Sequence, residues 1–255
     1  MTENKWFVIP KPNVHADLKL ICFPYAGGST STYLSWVNYL PSNVELVIIQ
    51  APGRGSRIFE PLYSDMTALT DELVRLIPNV LNKPYIFYGH SLGSRVAFEL
   101  MDKLSKLKHS SPQHFIASGS RGPHKLSEKK KVAHLPDSEF IDELYRLNGT
   151  PKAVIDNKEL MDLFLPVLKA DFGIAEQYCY SGNTIFECPV SVFGGNEDID
   201  IKSTDLICWQ EHFSMKVDLH LISGNHFFVD SNKEVVLQKV NDIITKTLQA
   251  PLCIS

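Results

Sequence analysis

Nine residues, Tyr85-Ile-Phe-Tyr-Gly-His-Ser-Leu-Gly93, constrain this chain more than any other stretch. Four β-prone, apolar residues run straight into Gly-x-Ser-x-Gly. A helical pattern follows from Ser94 to Lys106, with Val96, Leu100 and Leu104 on one face. Strand, sharp turn and helix in this order put a serine at the top of a sheet. Side chains at the flanking glycines would crowd the neighbouring backbone. The spacing predicts Ser91 as a nucleophile and the Leu92 N–H as an oxyanion donor. The same turn could carry a serine that merely caps the helix.

The rest of the chain is organised around that unit. Leu18 to Phe23, Val44 to Gln50 and Gln113 to Ser118 read as further strands. Helical patterns span Thr32 to Leu40, up to Pro41, and Asp65 to Leu81. Strands alternating with helices imply a mostly parallel sheet covered on both faces. From about Gly122 to Tyr180 the rhythm breaks. Glu139 to Leu147, Lys158 to Leu168 and Phe172 to Tyr180 read as helices, with Pro166 expected to end or kink the second. So long an insertion exceeds a loop. It is expected to form a helical lid, approximately 122–180, in a single domain spanning 1–255; a peripheral elaboration is the other reading. Alternation resumes at Val190, with a helix at Ser203 to Phe213. Lys216 to Ile222 places Val217, Leu219 and Leu221 on one face, and Val235 to Leu248 closes the chain as a helix.

Two loops lie just past strand ends, where open α/β sheets place their chemistry. After Phe23 comes Pro24-Tyr-Ala-Gly-Gly28, where the Ala26 N–H can supply a second oxyanion donor, or where the chain makes a tight turn with no further role. After Gln50 comes Ala51-Pro-Gly-Arg-Gly55. Arg54 and Arg57 there can bind an anionic group, but anchoring the loop is the favoured role.

A net charge of −4 supplies no basic excess for phosphates, which argues against a general nucleic-acid binder. The five cysteines are odd in number and include no C-x-x-C pair. Neither a disulfide framework nor a zinc site is expected, and a reducing cytoplasm is the simplest setting. No leader pattern and no run of 18 apolar residues is present, so no membrane association is expected. No cofactor or metal is called for.

A serine nucleophile needs a base and an orienting carboxylate. Of nine histidines, His226 best fits a strand end, in Ser223-Gly-Asn-His226. Asp198 follows the Val190 strand by a short glycine turn, with Asp200 close by. The order Ser91, Asp198, His226 is that of α/β-hydrolases.

The chain resembles the type II thioesterases that accompany nonribosomal peptide and polyketide synthases. The resemblance rests on Cys22-Phe-Pro-Tyr-Ala-Gly-Gly28, Pro52-Gly-Arg-Gly55, Gly89-His-Ser-Leu-Gly93, Ala97-Phe-Glu-Leu100 and Leu135-Pro-Asp137. It continues through Gly149-Thr-Pro151, Leu165-Pro166, Ala170-Asp-Phe172 and Gly224-Asn-His-Phe-Phe228. Ser94 and Asn225 depart from it. The resemblance implies an α/β-hydrolase fold with a helical lid, and hydrolysis of acyl groups from the phosphopantetheine arm of carrier domains. It implies Ser91 as nucleophile, His226 as base, Asp198 as its partner, and Ala26 and Leu92 as the oxyanion hole. Another esterase or acyltransferase on the same triad, a chain-releasing thioesterase, or a non-catalytic carrier-binding module are the alternatives. Leu144 and Phe172 in the insertion can line an acyl pocket or pack on the sheet. Lys129, Lys130 and Lys131, with Lys125 and Arg121 upstream, form the densest basic run. That run is either a docking patch for an acidic carrier or a solvated loop.

Overall fold

The structure is a computed structural model that describes residues 5–126, 131–147 and 152–250. In chain order the strands are β1 (Phe7–Val8), β2 (Leu18–Phe23), β3 (Val44–Ile49), β4 (Tyr85–His90), β5 (His114–Ser118), β6 (Val190–Gly195) and β7 (Asp218–Ile222). They form one sheet in the order β1-β3-β2-β4-β5-β6-β7. Every pairing is parallel except that of β1 with β3.

Period two divides the strand side chains between two cores. Ile21, Phe23, Phe87, Phe115 and Ala117 point to one face. There they meet Leu69 and Leu73 of α2 (Met66–Leu76) and Val96, Leu100 and Leu104 of α3 (Leu92–Lys106). Leu20, Cys22, Ile86, Tyr88 and Ile116 point to the other. They meet Tyr33 of α1 (Ser31–Leu34), Trp36, and Val236, Val240 and Ile244 of α9 (Lys233–Gln249). Between β5 and β6 lie α4 (Asp137–Leu147), α5 (Lys152–Ile155) and α6 (Lys158–Gln177). They share a third apolar cluster around Phe140, Leu144, Ile155, Met161, Leu165 and Leu168. Short helices α7 (Ser203–Ile207) and α8 (Phe228–Ser231) follow β6 and β7.

Several elements differ from their sequence expectation. The two helices expected at Lys158–Leu168 and Phe172–Tyr180 are one, α6, which Pro166 neither ends nor divides. Burial of Met161, Leu165, Val167, Leu168 and Ile174 along that helix offsets the backbone bond that proline removes. The helices expected at Thr32–Leu40, Asp65–Leu81 and Ser203–Phe213 each end in a 3₁₀ turn: Ser35–Asn38, Ile77–Asn79 and Cys208–His212. Val217 is buried, but Leu221 on the same face is 51% exposed, because β7 is the sheet edge and its outer end lies uncovered. Lys129 and Lys130 lie outside the described residues; Lys131 is exposed.

The chain passes from β2 outward to β3, then back across β2 to β4. Loops leaving β2 and β4 therefore diverge at one crevice, where open α/β sheets hold their ligands.

Candidate active site

At the end of β4 the backbone turns so sharply that Ser91 sits at φ 52° and ψ −117°. A serine holds that strained conformation only where its surroundings enforce it. Here α3 packs so closely that a Cβ on Gly89 would lie 2.4 Å from Ser94 N, and one on Gly93 2.1 Å from Phe23 O. The Ser91 N–H donates to Ser118 O at 2.7 Å. Ser94 Oγ sits 2.7 Å from Gly89 O and 3.1 Å from Ser118 O, and accepts the Ser118 N–H at 3.1 Å. Ser94 thus stitches the turn to β5, a role its departure from the family pattern did not announce.

Ser91 Oγ is 2.9 Å from His226 Nε2, and His226 Nδ1 is 2.7 Å from Asp198 Oδ2. The Asp198 side chain is only 2% exposed. Its other oxygen accepts the Asp200 N–H at 2.8 Å and the Ile201 N–H at 3.1 Å. Asp198, not Asp200, therefore faces the imidazole; toward Asp198, Asp200 offers its backbone N–H. Since a carboxylate only accepts, His226 Nδ1 carries the proton and Nε2 presents its lone pair to the serine hydroxyl.

His90 has a place the sequence did not reveal. It is wholly buried, with Nε2 2.9 Å from the His226 carbonyl and Nδ1 2.9 Å from Ser118 Oγ. The carbonyl can only accept, so Nε2 donates to it. Ser118 Oγ then donates to Nδ1 and accepts the Tyr88 hydroxyl at 3.0 Å. Burial, then the nearby His226, lowers the His90 pKa from 6.5 to about 3, so the ring stays neutral. A buried histidine beside the nucleophile thus holds the backbone of the histidine that contacts it.

Ala26 lies in the turn after β2, closed by the Gly28 N–H donating to Tyr25 O at 2.8 Å. Leu92 opens α3, so its N–H has no intrahelical acceptor and sits at the positive end of the helix. The Tyr25 hydroxyl donates to Asp230 Oδ2 at 2.9 Å, and its ring packs edge-on against His90 and Phe227. Burial, followed by Asp230, drives the Tyr25 pKa up.

Ser91 and His226 open on two adjoining cavities. One, of about 160 Å³, is lined by Tyr25, Ala26, Leu144, Leu168, Phe172 and Phe227. The other, of about 170 Å³, shares Leu147 and Asp200 with the first and adds Arg95, Arg121, Arg146 and Glu176. Leu144 and Phe172 thus line a cavity and also belong to the third apolar cluster. A larger polar cleft of about 370 Å³ includes neither Ser91 nor His226, so size alone does not locate the chemistry. Arg95 Nη1 donates to Ala175 O at 2.8 Å, placing a buried cation at the C-terminal end of α6. Burial, with Arg121 second, lowers its pKa to about 10. Arg57 anchors its loop, donating to Gln50 O and Glu60 and lying over the Trp6 ring at 4.4 Å.

Elsewhere, donor atoms of His124, Cys208 and Glu211 lie within 4.8 Å of one another, brought together from segments whose sequence spacing is no ligand motif. His124 Nδ1 is engaged with His212 Nε2 at 2.9 Å, and Glu211 is exposed. No helix among the described residues is long and apolar enough to cross a membrane.

The family model for the thioesterase domain matches residues 18–244. The chain is 37% identical over 255 residues to linear gramicidin dehydrogenase LgrE of Brevibacillus parabrevis, covering 99% of this chain and 95% of that protein. It is 35% identical to gramicidin S biosynthesis protein GrsT of Aneurinibacillus migulanus, covering 92% of each. Among solved structures, the type II thioesterase BorB of the borrelidin biosynthetic cluster superposes with a TM-score of 0.87 at 27% identity, over 98% of this chain and 100% of that one. With the sheet order, the turn at Ser91 and a family match running from β2 into α9, the chain belongs to the thioesterase domain family, on an α/β-hydrolase fold.

Proposed function

We propose that this protein hydrolyses acyl thioesters carried on the phosphopantetheine arm of carrier proteins, freeing the arm for further synthesis on a nonribosomal peptide or polyketide assembly line. The observation that carries this reading is the Ser91–His226–Asp198 array, at 2.9 and 2.7 Å, in a thioesterase-family chain whose relatives include a protein named for gramicidin S biosynthesis.

His226 Nε2 takes the Ser91 proton as Oγ attacks the thioester carbonyl carbon. The Ala26 and Leu92 N–H groups receive the developing oxyanion. The intermediate collapses, the C–S bond breaks, and the thiolate leaves with the proton from His226. Water, deprotonated by His226, attacks the acyl-serine and releases the acid. Asp198 holds the imidazole in the required tautomer throughout. The helices between β5 and β6 act as a lid, and Leu144, Leu147 and Phe172 contact the acyl chain; short or mobile chains fit cavities of this size. The cytoplasmic setting read from the cysteine pattern belongs to the same proposal.

The name of the Brevibacillus relative speaks of a dehydrogenase. The turn after β3 reads Gly53-Arg-Gly-Ser-Arg-Ile58, with Ile58 where a dinucleotide fingerprint has its third glycine. Arg54 and Arg57 fill that turn with internal bonds. The triad reading is therefore favoured over a nucleotide-dependent one. The test is a panel of acylated carrier proteins, with matched thioesters and oxygen esters and a serine-reactive fluorophosphonate. Thioester release with labelling at Ser91 is expected. No labelling and no release would favour a non-catalytic carrier-binding module; preference for oxygen esters would favour a carboxylesterase.

A further inference from the structure

Asp171 lies in the middle of α6, faces the sheet and is 4% exposed. Arg54, in the loop after β3, meets it as a fork: Nη1 donates to Oδ2 at 2.8 Å and Nη2 to Oδ1 at 3.0 Å. A buried pair of this kind contributes little net stability, because desolvation cancels much of the attraction. Its geometry is what it adds. Asp171 Oδ2 also accepts the Gly27 N–H at 2.7 Å, and Arg54 Nη1 lies 3.4 Å from Gly28 O. One carboxylate from α6 therefore grips the turn that carries Ala26.

The turn is built to receive it. Gly27 has φ +72°, open to glycine at no steric cost, and a Cβ there would stand 2.4 Å from Leu168 Cδ2 of the same helix. In a turn closed by Gly28 N–H to Tyr25 O, the plane holding the Ala26 N–H is fixed on one side by that bond. The next plane, holding the Gly27 N–H, is fixed by Asp171. Two consecutive peptide planes are thus pinned, the second by a residue of the inserted helices.

We propose that Asp171 is a positioning residue for the oxyanion hole: held by Arg54, it ties α6 to the Tyr25–Gly28 turn, so that the seating of the inserted helices sets the direction of the Ala26 N–H. The proposal rests on the reading of Ser91 as nucleophile. Displacement of α6 releases Gly27 and loosens the oxyanion hole. The enzyme is then competent only when its helical cover is seated.

The double variant Arg54→Met/Asp171→Leu removes both charges together, which leaves stability nearly unchanged where one deletion would strand a buried ion. Its melting temperature is expected to stay near that of the wild type. kcat for a small soluble thioester is expected to fall by about tenfold to a hundredfold, less than the roughly 10²–10³ for outright loss of one oxyanion donor because the Ala26 N–H is displaced and not removed, with KM little changed. Affinity for an alkyl boronic acid, whose serine adduct mimics the tetrahedral intermediate, should fall by the same factor. Arg54→Lys, which keeps the charge and loses the fork, should move both quantities the same way by less. Wild-type kcat in both variants would overturn the proposal, as would a fall in kcat with boronate affinity intact. A wild-type enzyme that neither binds boronate nor takes a fluorophosphonate would instead overturn the reading of Ser91.

Discussion

Two hydrogen bonds, Ser91 Oγ to His226 Nε2 and His226 Nδ1 to Asp198 Oδ2, set the path open to a proton leaving Ser91. Ser91→Ala should cut kcat by about 10⁶-fold, leaving the residual catalysis of the oxyanion hole, with the fold unchanged by circular dichroism. Asp198→Asn should cost about 10⁴-fold in kcat, because an amide facing Nδ1 favours the wrong tautomer. Asp200→Asn should cost far less, since the carboxylate on His226 is that of Asp198; kinetics on a soluble thioester rank the two. His90 gives a second expectation. Burial lowers its pKa from 6.5 to about 3, and that of His114 from 6.5 to about 4. Below pH 6.5 the unfolded chain takes up protons that the folded one refuses. Stability linked to these rings is complete above pH 6.5 and is lost as pH falls toward 4 and then 3, at up to about 1.4 kcal/mol per pH unit for each. Urea denaturation between pH 7 and 5 should show that slope, and His90→Gln or His114→Gln should each flatten it.

Among the elements, α6 joins the most distant parts of the site. It contributes Leu168 and Phe172 to the cavity at Ser91, Asp171 to the turn at Gly27, and a C-terminal carbonyl to Arg95. Its interior proline sacrifices one backbone bond and faces solvent. Pro166→Ala should therefore raise stability by about 1–3 kcal/mol, read from urea denaturation, unless the helix needs the distortion proline imposes. An unchanged midpoint would mean that the surrounding packing already accommodates it. Leu144 is buried yet reaches the cavity from α4. Leu144→Trp should shift preference toward shorter acyl chains in a chain-length series. An unchanged series would assign Leu144 to packing alone.

At the scale of the whole molecule, the net charge of −4 gives an acidic carrier no general attraction, so docking requires a local patch. Lys125 and Lys131 are exposed beside the segment leading from β5 to α4. Reversing Lys129, Lys130 and Lys131 to Glu together should lower kcat/KM for acyl-carrier substrates and weaken its salt dependence, while a small soluble thioester is turned over as before. Equal effects on both substrates would remove this run from the docking surface.

Sequence alone determined what is local or periodic. Alternation of strand and helix gave the layers, since a period of two or of 3.6 is written in consecutive residues. Gly89, Ser91 and Gly93 specified their own turn, because the steric demand lies within five residues. The order Ser91, Asp198, His226 pointed to three strand ends. Tertiary structure decided what depends on residues far apart in the chain. It aimed the Asp198 carboxylate, the one the family resemblance implied, at an imidazole 28 residues away, a contact that nothing in the spacing of Asp198 and Asp200 distinguishes. It carried α6 through Pro166, since burial outweighs one lost bond. It also gave His90, Ser94, Arg54 and Asp171 their work, because each meets its partner across the sheet or from the inserted helices, where no spacing along the sequence records the contact.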